Sequence, residues 1–267
     1  MPGEPADENQ AGSIAHRTVQ PPQFPVFGTL FDSRRPGTGV ALIGGSGGGE
    51  LREVGEWLAG EGFPSLSLSY FGREGLPRTL RDIPLEYLRD ACTALARHPL
   101  TEGRPPVLLG ASRGSEAALL TAVHFPQAVG GVIAVVPSNV AVCSWPPGGP
   151  AWLLNGAPLP YSMRFGPYTL EPQAEIAVEK IRVPVLLISA GADQTWPSSA
   201  MSRAIAARID RGGGGATVQH LDYPDATHAL GMLLPSPDIV GAIPSWPADD
   251  DARSDARKKV LAFLRAL

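Results

Sequence analysis

The chain has 267 residues, a formal net charge of −4 and a sequence pI of about 5.7, and its one compact basic run is Arg257-Lys258-Lys259 near the C-terminus. That balance excludes nucleic acid as an expected partner, and a hydrophobic content of 43% excludes global disorder. No segment has the uninterrupted apolar length of a membrane span or the apolar core of a secretory leader, so the expectation is a cytoplasmic protein with no membrane contact.

The first elements set the frame. Residues 1–24 are rich in Pro, Gln, Glu and Asp without periodicity, which reads as a flexible leader, and residues 25–267 read as one domain. From there short apolar runs alternate with helical patterns. GVALI precedes LREVGEWLAGEG, PSLSLSY precedes LRDIPLEYLRDACTALARHP, and PVLLG precedes SEAALLTAVHFP. GVIAVV follows, then VPVLLIS before SAMSRAIAARI, and ATVQHL before the terminal ARSDARKKVLAFLRAL. Continuous apolar strands between amphipathic helices predict an α/β fold, with a mostly parallel central sheet and helices on both faces. Residues of about 138–180, rich in aromatics and prolines, break the rhythm and are expected to form an irregular lid insertion at the ligand-binding rim. Cys92 sits in a helical pattern and Cys143 after an apolar strand; neither has metal-ligand spacing around it, so no metal, disulfide framework or organic cofactor is expected.

VLLGASRGSEAALL places Gly110-Ala111-Ser112-Arg113-Gly114 between a strand and a helix, the Gly-x-Ser-x-Gly pattern of a nucleophile elbow. A serine hydroxyl needs a base to take its proton and an acid to orient that base. Of five histidines, His16 lies in the leader, His98 and His124 at helix C-termini where a cation suits the dipole, and His220 within a strand pattern. His228, in the loop YPDATHALG after the last strand, stands where the base belongs in the order Ser, acid, His. Asp193, at the carboxyl end of VPVLLISAGA, is preferred as the acid over Asp222 and Asp225. The oxyanion donors are expected to be the amide of Arg113 and that of Ser46 or Gly45 in the glycine-rich loop IGGSGGGELRE. That loop lacks the Lys-Ser/Thr ending of a phosphate-binding P-loop. Tyr70, Phe71, Trp145 and Trp196 are candidates for an acyl pocket. The Arg113 side chain reads either as a contact to an anionic substrate or as a solvated cation at a helix start.

With these residues placed, the chain resembles the catalytic C-terminal domain of the acyl-CoA thioesterase and bile-acid-CoA:amino-acid N-acyltransferase family, from about Gly28 to about Leu264. The likeness is carried by GTLF, ALIGGSGGGELREVGEWLAGEGFPSLSLSYFGREGLP, LEYLRDACTALARHP, LLGASRGSEAALL, VPVLLISAGADQTWPS and YPDATHALG. It implies the α/β-hydrolase fold and a triad at Ser112, Asp193 and His228. The family usually carries a β-sandwich domain before the catalytic one, and the short leader has no counterpart to it; Arg113 stands where the family has Lys. The amino-acid-transferring branch uses cysteine as nucleophile, so Ser112 points to hydrolysis. The expected activity is that of a serine-dependent acyl thioesterase, acting on acyl-CoA or on an acyl group held by a carrier protein. Transfer to an amine or alcohol and carboxylesterase activity are the alternatives, and a catalytically inert binding protein is the alternative from another class.

Overall fold

Short apolar runs determine the core. In Val40–Ile43, Val107–Ala111, Gly131–Val135 and Val185–Ala190 every residue is buried, and successive side chains go to opposite faces of the sheet. Ala41, Ile43, Leu108, Val132 and Leu187 join one apolar cluster. Val40, Leu42, Leu109, Ile133 and Ile188 join a second. Strands apolar on both faces require a covering layer on each side, and fully burying each Val, Leu or Ile among them is worth about 1.5–3 kcal/mol.

The computed structural model describes residues 13–163, 171–234 and 246–267. In chain order the elements are β1 (His16–Val19), β2 (Phe27–Phe31), β3 (Val40–Ile43), α1 (Arg52–Gly60), β4 (Ser65–Ser69), β5 (Ile83–Pro84), α2 (Leu85–Ala96), β6 (Val107–Ala111) and α3 (Arg113–His124). β7 (Gly131–Val135), β8 (Trp152–Leu154), β9 (Ala157–Pro158), β10 (Val185–Ala190), α4 (Ser198–Gly212), β11 (Val218–Tyr223) and α5 (Pro247–Arg265) follow. The main sheet has the order β1-β2-β4-β3-β6-β7-β10-β11. From β4 to β11 all neighbours are parallel, while β1 and β2 add an antiparallel margin. α2, α3 and α4 cover one face through residues such as Leu88, Leu119 and Ile205; α1 and α5 cover the other through Leu58 and Val260.

Two features differ from the sequence expectation. β1 lies within the expected leader and pairs with β2 from His16↔Phe31 to Val19↔Gly28. Its sequence HRTV has a single buried apolar residue, Val19, too little to register as a strand pattern. Residues 1–12 of that leader lie outside the described residues. Within the irregular segment, β8 pairs with β5 in parallel and with β9 antiparallel to make a small second sheet. Residues 164–170 of the segment lie outside the described residues.

The topology positions the site. β4 lies on one side of β3, and the chain then returns to place β6 on the other. Such a reversal opens a crevice at the carboxyl ends of the two central strands. The glycine-rich loop leaves β3 at that crevice, and Ser112 follows β6 directly.

Candidate active site

Ser112 has φ 54° and ψ −118°, a conformation that costs an L-residue free energy. The neighbouring glycines explain why the turn closes. A Cβ on Gly110 would lie 2.0 Å from the Gly114 carbonyl oxygen, and one on Gly114 would lie 2.1 Å from that of Ile43. The strand and helix approach so closely that only hydrogen fits at these two positions. The Ser112 amide donates to the Val135 carbonyl at 2.9 Å, which ties the turn to β7.

The three residues singled out from the sequence meet here. His228 Nε2 is 2.9 Å from Ser112 Oγ, and His228 Nδ1 is 2.8 Å from Asp193 Oδ2. The other carboxylate oxygen of Asp193 accepts the amides of Thr195 and Trp196 at 2.9 and 3.3 Å. Both oxygens are therefore held, and the Asp193 side chain is fully buried. His228 opens a 3-10 turn whose preceding residue, Thr227, is fixed to α5: its amide and hydroxyl donate to the Asp249 carboxylate at 2.7 and 2.8 Å. Arg253 Nη2 donates to the carbonyl of Ala229 at 2.8 Å. Trp196 sets its ring edge-to-face against His228, with centroids 5.2 Å apart, and its indole N–H donates to the Val136 carbonyl at 3.0 Å.

The competing residues are engaged elsewhere. Asp222 accepts from the hydroxyls of Ser189 and Ser199 and pairs with Arg203. Burial opposes its charge, but these donors together with His220 hold its carboxyl below the ordinary range. His220 Nε2 is 2.7 Å from Ser189 Oγ. Burial depresses His98 and His124 below the usual imidazole value, and His98 Nε2 lies 3.3 Å from Asp32 Oδ1.

The glycine-rich loop packs onto the nucleophile. A Cβ on Gly45 would lie 3.3 Å from Ser112 Cβ. A cavity of about 600 Å³ opens beside Ser112, between this loop, the start of α1 and the His228 turn. Its apolar lining includes Leu51, Val54, Met232 and Leu234, and it contains no Lys or Arg among the described residues, whereas Glu50 and Glu53 do line it.

The four aromatic residues expected in an acyl pocket do not line this cavity. Tyr70, 2% exposed, lies beneath the loop, and its hydroxyl donates to the Gly44 carbonyl at 2.7 Å. Phe71 packs where a Cβ on Gly48 would stand, 2.9 Å from its ring. Trp196 backs His228, and Trp145 is 46% exposed on the irregular segment. Large apolar residues at the sheet rim serve here as supports for backbone loops, while smaller aliphatic side chains form the cavity wall.

The side chain of Arg113 also departs from both readings given to it. It is 1% exposed and neither solvated nor open to a substrate. Its Nε lies 2.7 Å from Glu116 Oε2, itself fully buried, and its Nη1 and Nη2 donate to the carbonyls of Cys143 and Val142, each at 2.8 Å. Glu116 also accepts from the Val142 amide at 2.9 Å and from the Trp152 indole N–H. Burial pushes the Glu116 carboxyl upward against the pull of Arg113. One turn of α3 thus fastens the irregular segment to the elbow. Arg and Glu three residues apart on a helix look like a surface pair in sequence, which is why this role was not read there.

The geometry can be set beside known proteins. The family model described as BAAT / Acyl-CoA thioester hydrolase C terminal matches residues 160–235, a span that contains Asp193 and His228. Human acyl-coenzyme A thioesterase 1 is 37% identical over 121 residues, which cover 45% of this chain and 28% of that protein. Human acyl-coenzyme A thioesterase 6 is 27% identical over 235 residues, covering 77% of this chain and 52% of the relative. The chain therefore spans about half the length of these relatives or less. Among solved structures, MGS-M1, an alpha/beta hydrolase enzyme from a Medee basin deep-sea metagenome library, superposes with a TM-score of 0.62 at 13% identity, over 96% of this chain and 99% of that one. Among the described residues no helix is long and apolar enough to cross a membrane. The sheet topology is that of the α/β-hydrolase fold, and over residues 160–235 the chain is similar to the BAAT / Acyl-CoA thioester hydrolase C terminal family.

Proposed function

We propose that the chain is a serine-dependent hydrolase of acyl thioesters working through a covalent acyl-serine. The observation that carries this reading is the unbroken relay from Ser112 Oγ through His228 to Asp193, at 2.9 and 2.8 Å. His228 Nε2 removes the hydroxyl proton as Oγ attacks the thioester carbonyl carbon. The tetrahedral oxyanion is held by the Arg113 amide and by the amide of Gly45 or Ser46. When the C–S bond breaks, the imidazolium returns its proton to the departing sulfur. Water then repeats the sequence on the acyl-serine ester, with His228 as base, and releases the carboxylic acid. Asp193 keeps the imidazole in the required tautomer and offsets its charge. The cavity lined by Leu51, Val54, Met232 and Leu234 supports an apolar acyl group.

The test is a kinetic screen of acyl-CoA, acyl-pantetheine and p-nitrophenyl esters with wild type and Ser112→Ala, alongside labelling by a fluorophosphonate. Thioester turnover that Ser112→Ala abolishes is the expected result. Wild-type turnover in that variant, or no turnover of any thioester by the wild type, rejects the proposal. Partitioning of the acyl group between water and an added amine separates hydrolysis from transfer.

A further inference from the structure

We infer that Tyr70 is a positioning residue for the oxyanion site, its hydroxyl fixing the direction in which the amides of Gly45 and Ser46 point. This rests on the acyl-serine reading above. The Tyr70 hydroxyl lies 2.7 Å from the carbonyl oxygen of Gly44 and 3.3 Å from that of Gly45, so one buried donor is shared between two successive peptide groups. In a trans peptide the N–H points opposite to the C=O of the same unit. The Gly44 carbonyl shares its plane with the Gly45 amide, and the Gly45 carbonyl shares its plane with that of Ser46. Holding both oxygens beneath the loop turns both N–H groups away from Tyr70. The loop's outer side borders the cavity beside Ser112, and Gly45 itself packs against the Ser112 side chain.

Within the loop the Gly45 carbonyl also accepts the Gly48 amide at 3.2 Å, so Tyr70 adds to that turn bond for the second peptide and acts on the Gly44 carbonyl for the first. A Cβ on Gly47 or Gly49 would meet nothing within 4 Å, and Gly48 and Gly49 both adopt positive φ. Peptide planes in a glycine-rich run flip at low cost unless hydrogen bonds hold them. Tyr70 is suited to hold them because it cannot move and cannot lose its proton. It is 2% exposed, and its ring stacks on Trp152 with centroids 6.1 Å apart and meets Phe71 edge-on at 4.9 Å. Burial drives its phenol well above the usual range, so the hydroxyl remains a donor. Trp152 in turn donates to Glu116, the partner of Arg113. The two arms of the oxyanion site, from the β3 loop and from the elbow, are thereby braced by one buried chain of side chains.

The test compares Tyr70→Phe, Ser112→Ala and wild type with one thioester substrate and with a trifluoromethyl ketone that adds to Ser112. Tyr70→Phe is expected to lower kcat about 10- to 100-fold, less than the outright loss of an oxyanion donor, with KM within about twofold. The inhibition constant of the ketone should rise by the same factor as kcat/KM falls, which a merely structural role would not produce. A folded Tyr70→Phe enzyme with kcat within twofold of wild type, or with its loss confined to KM, overturns the inference. Should Tyr70→Phe fail to unfold cooperatively, Tyr70→4-aminophenylalanine and Tyr70→4-fluorophenylalanine supply the comparison, since both fill the hydroxyl's place and only the first donates. Equal kcat in those two overturns it as well. Wild-type turnover by Ser112→Ala would instead strike the acyl-serine reading, so the two failures are distinct.

Discussion

Glu116→Gln tests the buried brace behind the nucleophile. The substitution preserves shape and one acceptor oxygen, which can still take the Val142 amide or the Trp152 indole, but it leaves the Arg113 guanidinium without its counter-charge at 1% exposure. Breaking a buried pair by removing one partner costs about 3–5 kcal/mol, because the remaining charge stays desolvated. The carbonyls of Cys143 and Val142, both 2.8 Å from Arg113, still solvate it in part and place the expected loss near the lower end, about 3 kcal/mol. A domain with about 5–15 kcal/mol in total would notice such a loss clearly. Urea unfolding at neutral pH gives the number, provided the m-value stays that of the wild type. Arg113→Met in the same chain removes the stranded charge and should restore about 1–2 kcal/mol, a coupling that only an interacting pair produces. A Glu116→Gln loss below about 1 kcal/mol, with m unchanged, refutes the account of this pair.

Asp193→Asn should lower kcat about 10⁴-fold with little change in unfolding midpoint, because an amide at this position favours the wrong imidazole tautomer; steady-state kinetics on the folded variant decides it. Glu53→Gln should raise kcat/KM for an acyl-CoA about two- to fourfold at low salt. One unit charge pair at about 10 Å in water is worth roughly 0.4 kcal/mol, so the gain should fade near 1 M salt and be absent for the uncharged N-acetylcysteamine thioester. His220 is held below the usual imidazole value, first by burial and against the pull of Asp222. The unfolded chain therefore takes up this proton more readily than the folded one. The stability it contributes is complete above about pH 6.5 and is lost as pH falls through its folded value. Melting temperatures between pH 7.5 and 5.5 should decline less steeply in His220→Gln.

Sequence periodicity made the sheet legible because its central strands are apolar on both faces, as VALI and VLLIS show. The elbow was legible for a steric reason, since glycine is forced at positions 110 and 114 by backbone contacts of 2.0 and 2.1 Å. Ser112, Asp193 and His228 were found from their places after strands, and they meet in the structure. The surroundings were less legible. Tyr70 and Trp196 have the composition of a ligand pocket, yet each spends its polar hydrogen on a backbone carbonyl. Met232 and Leu234, which do line the cavity, lie in a loop with no period to mark them. Thr227 and Asp249 are 22 residues apart, and nothing local announces their bond. Contacts between irregular segments are set by tertiary packing and leave no spacing rule behind.

The backbone at Ser112, with φ 54° and ψ −118°, separates what the fold prefers from what the chemistry requires. Glycine is the residue that best tolerates that conformation, and Ser112→Gly should melt higher than the wild type by the order of 1 kcal/mol while turning nothing over. On the acyl-serine proposal, variants selected for thermostability alone should lose the serine at position 112, while variants selected for turnover should keep it.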